Sequence, residues 1–61
     1  MKFKRGQLVR AYDWTPQCSN AWMLSVYVRR EDPYHLVWNI ARGGATICGD
    51  REIRHLKPNV G

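Results

Sequence analysis

Residues 21–40, AWMLSVYVRREDPYHLVWNI, constrain the fold of this chain more than any other stretch. Trp22, Leu24, Val26 and Val28 alternate with Met23, Ser25, Tyr27 and Arg29. After Glu31-Asp32-Pro33, Tyr34, Leu36, Trp38 and Ile40 alternate with His35, Val37 and Asn39. A period of two places successive side chains on opposite faces of a strand, and the β-branched and aromatic content suits a pleated surface. A helix would instead need apolar residues three and four apart. Pro33 has no amide hydrogen and fits a turn rather than a ladder. The pattern predicts a long β-hairpin with Trp22, Leu24, Val26, Val28, Tyr34, Leu36, Trp38 and Ile40 facing a core. It leaves Met23, Tyr27, Arg29, His35 and Val37 on an amphipathic outer face, open to a ligand or a second chain. On this assignment Trp22→Ala unfolds the domain.

Shorter segments flank the hairpin. Lys2 to Arg5 form a basic lead-in that Phe3 pins to the core, and Gly6 permits a turn. The run QLVRAY at 7–12 reads as a first strand, with Val9 and Ala11 inward, Leu8 at the rim, and Arg10 and Tyr12 outward. The polar run DWTPQCSN at 13–20 reads as a loop around Pro16. Its Trp14 either stacks on a ligand ring or folds back over a small core. Residues 41–44, ARGG, read as a tight turn whose Gly pair supplies positive φ; as an alternative, the backbone forms a nest for a phosphate beside Arg42. A fourth strand, ATIC at 45–48, points Ile47 inward. The run GDRE at 49–52 suits a single 3₁₀ turn. A last strand, IRHL at 53–56, is anchored by Ile53 and Leu56, and residues 57–61 form a tail. The whole chain, 1–61, is a single domain.

A chain of 61 residues buries only about 60% of its unfolded surface, so its core is marginal. Disulfides, metals or oligomers are the usual remedies. Cys18 and Cys48 form no CxxC pair, and with His35 and His55 they give no zinc spacing. No apolar leader or membrane-spanning run is present, so a cytoplasmic protein with reduced thiols is expected. A homo-oligomer is the stabiliser that remains. No cofactor and no metal are expected.

The opening KFKRGQLVRAYD, the Trp-led strand Trp22-Met23-Leu24 and the ending from Gly49 to Leu56 resemble small SH3-like β-barrel proteins, of the kind often encoded by phages. The resemblance spans Lys4 to Lys57. It implies an all-β, five-stranded SH3-like barrel with a long central hairpin and a short 3₁₀ turn before the last strand. For a phage-encoded chain it also implies residence in the host cytoplasm. SH3-like barrels serve many functions, so the fold alone selects none.

Ten Lys and Arg against five acids give a net charge of +5, which favours an anionic partner as well as solubility. The first functional expectation is a binding module for nucleic acid or an anionic nucleotide. Its candidate residues are Arg10, Tyr12, Trp14, Tyr27, Arg29, Arg30, Arg42 and Arg54, since aromatic faces stack on bases while guanidinium groups bind phosphate bidentately. Arg29 and Arg30 have a competing assignment as surface partners of Glu31 and Asp32. The second expectation is a protein-interaction module that binds or inhibits a host or viral protein through Met23, Tyr27 and Val37. Salt separates the two, because phosphate contacts weaken steeply with ionic strength. An enzyme is not expected: no spacing pairs a Cys with a His as nucleophile and base, and Cys48 reads as a small core residue.

Overall fold

The structure, a computed structural model, describes residues 2–14 and 21–56. The fold is all-β. Strands β1 (Leu8–Asp13), β2 (Ala21–Glu31), β3 (Tyr34–Asn39), β4 (Gly44–Cys48) and β5 (Ile53–His55) form one antiparallel sheet in the order β4-β3-β2-β1-β5. A 3₁₀ turn, Asp50–Glu52, precedes β5. The long hairpin, its turn at Asp32-Pro33 and the 3₁₀ turn lie where the sequence predicts them. The sheet curls: the Cys48 thiol at the end of β4 donates to the Tyr12 carbonyl oxygen of β1, 3.6 Å away.

The hairpin faces the opposite way from the prediction. Its interior residues are Ser25 and Tyr27 on β2, and His35, Val37 and Asn39 on β3. They join Val9, Ala11, Cys48 and Ile53, with Phe3 packed alongside. Val9 and Ala11 are inward as expected, and Phe3 does pin the lead-in. The residues predicted to be core lie on the other face. Leu24, Tyr34, Trp38 and Ile40 are exposed, and Trp22, Val26, Val28 and Leu36 are half-buried. Ile47, predicted to point inward, and Leu56, predicted as an anchor, are exposed too, whereas Ile53, the other predicted anchor, and Cys48, read as a small core residue, are buried as expected.

Curvature supplies the physical reason. The concave side of a curled five-stranded sheet has little volume, so most of its places go to Val, Ala, Ser and Cys at close approach, with Tyr27, His35 and Ile53 the larger members, and every Trp and Leu of the described residues stays outside it. The polar members of the interior are bonded. Asp13 Oδ2 accepts from Asn39 Nδ2 (2.7 Å), Arg42 Nε (3.0 Å) and the Thr46 hydroxyl (3.0 Å). The Tyr27 hydroxyl lies 2.9 Å from His35 Nδ1, and His35 Nε2 lies 2.6 Å from Asp50 Oδ1. A carboxylate only accepts, so in the neutral ring Nε2–H donates to Asp50 and Nδ1 accepts from the Tyr27 hydroxyl. Satisfied in this way, polar groups can occupy an interior.

Two local features refine the turns. Pairing shifts between Tyr27 and Arg29, a bulge that leaves Val28 as the extra residue and places Arg29 opposite Leu36 and Arg30 opposite His35. Of the Gly43-Gly44 pair only Gly43 has positive φ, at 75°; Gly44 already begins β4.

Candidate functional site

Alternation on β1 sends Val9, Ala11 and Asp13 inward, and so projects Arg10 and Tyr12 from the convex face. Register does the rest. Arg10 pairs with Arg54 across β1 and β5, and Tyr12 pairs with Trp22 across β1 and β2. Trp22 and Arg54 therefore meet above β1, with the Arg54 Cζ 4.1 Å from the centre of the Trp22 ring. The Tyr12 ring meets Trp22 edge-on at 5.5 Å and Trp14 at 4.6 Å. Trp14 is held by a bond from its Nε1 to Glu52 Oε2 (2.9 Å), and Glu52 Oε1 also accepts from the Gly49 amide (2.8 Å). Trp14 thus leans on the aromatic row, 57% exposed, rather than covering the core.

A cleft of about 450 Å³ opens here, lined by Arg10, Trp22, Arg54, His55 and Leu56. Two guanidinium groups directly opposite on neighbouring strands repel. Among the described residues no acid lies within ion-pair distance of either one. The cleft therefore presents two uncompensated cations beside an indole face.

The other predicted residues stand elsewhere. Arg29 is bonded to Glu31, and Arg30 Nη2 lies 3.1 Å from Asp32 Oδ1. Both border a second cleft of about 330 Å³ with Phe3 and Arg5, their charges met by neighbours beside the hairpin turn. Arg42 braces its own turn: Nε donates to Asp13, and Nη2 donates to the Ala45 carbonyl (2.8 Å) and the Thr46 hydroxyl (2.9 Å). That side chain closes a buried network instead of lining a phosphate nest. Tyr27 is 4% exposed and bonded to His35, so it belongs to the interior. Met23, Tyr27 and Val37, predicted as an outward interaction face, lie on the interior side; Tyr27 and Val37 are buried and Met23 is half-buried.

Of the eight predicted residues, the fold thus gathers Arg10, Tyr12, Trp14 and Arg54. It adds Trp22 and Leu56, which the sequence reading gave to the core and to anchoring the last strand, and His55, which it did not count as a site residue. The signal for Trp22 was its place two residues before Leu24 on a strand whose both faces are rich in large side chains.

Two titrating groups lie away from the cleft. Burial, reinforced by the negative charges of Glu52 and Asp13, pushes the Cys48 thiol up from 9.0 to about 11. It is a protonated, free core thiol at neutral pH. The hydrogen bond from His35 holds the Asp50 carboxyl below its ordinary value. Cys18 lies outside the described residues. Among the described residues no cluster of His, Cys, Asp and Glu has the arrangement of a metal site, and no helix is long and apolar enough to cross a membrane.

Comparison with protein-family models, with curated proteins and with solved structures finds no match.

Proposed function

We propose that this protein is a small binding module whose Arg10–Trp22–Arg54 cleft takes an anionic ligand with an aromatic ring, a nucleotide or a short single strand of nucleic acid. The cross-strand pair Arg10 and Arg54, with no acid of the described residues in ion-pair distance of either, carries this reading. A phosphate between the two guanidinium groups relieves their repulsion and accepts charge-assisted hydrogen bonds. A base stacks on the aromatic row of Trp22, Tyr12 and Trp14, which is sequence-tolerant because every base has a π-face. The module acts by binding and not by catalysis. The curled sheet, long hairpin and 3₁₀ turn support an SH3-like barrel, and the sequence resemblance supports a phage origin with action on a host factor in the host cytoplasm.

Trp22 and Trp14 make the test direct. Intrinsic fluorescence is titrated with short single-stranded DNA, RNA and nucleoside triphosphates at low and moderate salt. Saturable quenching that weakens with salt is expected, and Arg54→Ala weakens it at least about tenfold, the loss of one charge-assisted contact. An unchanged affinity in both Arg10→Ala and Arg54→Ala would sink the proposal.

A further inference from the structure

We propose that the convex face of the sheet is a self-association surface, on which a second copy of this chain packs sheet against sheet about a twofold axis. The face is built in register: Leu8, Val26, Trp38 and Ala45 form one row across β1, β2, β3 and β4. Ile47 pairs with Leu36 on one side of that row, and the Ile40 amide bonds to the Leu24 carbonyl on the other. Trp38 is 46% exposed and Ile47 54%. The row of Leu8, Val26, Trp38 and Ala45 carries no charge; Arg29 on β2 ends the row of Leu36 and Ile47, and Arg10 on β1 ends the row of Leu24 and Ile40.

Area argues for a second copy as the occupant. A fully exposed large apolar side chain presents about 200 Å². At their exposures Leu8, Leu24, Trp38, Ile40 and Ile47 offer roughly 450 Å² per protomer. Two such faces bury about 900 Å², and the half-buried Val26 and Leu36 carry the contact past the roughly 1,000 Å² that a specific interface needs. A charge-free apolar field is complementary to itself, as a twofold contact requires. The border arginines remain at the wet rim, where like charges are screened. Sheets packed face to face with their strands nearly aligned are a common arrangement. The interior strengthens the case: among the described residues its buried apolar members are Val9, Ala11, Tyr27, Val37, Cys48 and Ile53, while the leucines and indole groups lie outside. Association supplies the second half of a core that the monomer lacks.

The test is the mass in solution by light scattering, with circular dichroism to follow folding. The wild type is expected at twice the 7.2 kDa chain mass, with a Tm that rises with protein concentration. Ile47→Glu and Trp38→Glu change exposed positions, so they are expected to stay folded and shift to monomer. Arg54→Ala, which leaves the apolar rows intact, is expected to remain a dimer, so the fate of the anion cleft does not decide this one. A wild type that is monomeric with a concentration-independent Tm overturns the proposal. So does a dimer that survives both substitutions, since its contact then lies elsewhere. Sedimentation of a monomeric wild type with neutral phosphatidylcholine vesicles would assign the face to a bilayer and would overturn it as well.

Discussion

The Arg42 guanidinium donates to the Asp13 carboxylate, the Ala45 carbonyl and the Thr46 hydroxyl, and its backbone amide donates to Asn39 Oδ1. Arg54 carries the same charge but rests on an indole face opposite a second arginine. Their substitutions are therefore expected to separate cleanly. Arg42→Ala removes the guanidinium from the Asp13 carboxylate, which is 1% exposed and keeps its bonds from Asn39 and Thr46, and is expected to lower unfolding stability by about 1–3 kcal/mol in a urea melt. Arg10→Ala removes an exposed like charge and is expected to leave the same melt within about 0.5 kcal/mol. Trp22 shifts in meaning as well. Half-buried on the convex face, it contributes more to the cleft than to the interior, so Trp22→Ala should keep the fold and lose the ligand-dependent fluorescence change. Asp50 adds a pH signature. Its carboxyl is held below the ordinary 3.8 by His35 in the folded state, so its contribution is present above that value and is lost as the pH falls through the lowered one. Asp50→Asn is expected to flatten the acid limb of a stability–pH profile measured between neutral pH and strong acid. An unchanged limb would mean that the His35 bond contributes nothing to stability.

At the scale of the element, β2 and β3 were legible as strands, and their facing was not. Both faces of the hairpin carry large side chains, and a one-residue slip exchanges them. Period two is symmetric to that exchange. The alternating Leu and Trp of one face outweighed the mixed His, Val and Asn of the other in any count of hydrophobicity, yet the second face is the interior. Two facts decided it: the narrow concave side, and partners from distant segments for the buried Asp13, His35 and Asn39. Asp13 meets Asn39 and Arg42, and His35 meets Asp50. The bulge after Tyr27 was equally hidden, because it is a property of pairing and not of either strand. Paired substitutions expose the facing directly. Val37→Asp buries an unpaired charge and is expected to unfold the domain in circular dichroism. Ile47→Asp, which the sequence pattern would rank as equally damaging, should stay folded.

For the whole molecule, the distribution of charge and apolar surface on the convex side links two proposals that stand on separate observations. Arg10, Arg54 and the aromatic row gather over β1, β5 and the start of β2, while apolar side chains cover the middle of β2 and much of β3 and β4, with Arg29 at their border. Salt is expected to act on them in opposite senses. Ligand binding should weaken as ionic strength rises, with a logarithmic slope of about 0.7 for each single-strand phosphate contacted. Self-association should hold or strengthen, because apolar burial is insensitive to screening and like charges at the rim repel less. Light scattering and fluorescence on the same samples check both. By itself the sequence determined the strands, the turns, the 3₁₀ step and the inward side of β1, because alternation, Pro33 and small polar breaks are local signals that need no partner. The pairing of Arg29 and Arg30 with Glu31 and Asp32 was legible as a local alternative, but only the tertiary structure decided which face of the hairpin is buried, that Arg42 is tied to Asp13 and that Arg10 faces Arg54. Those outcomes depend on sheet curvature and on register between strands far apart in the chain, and no local pattern encodes either.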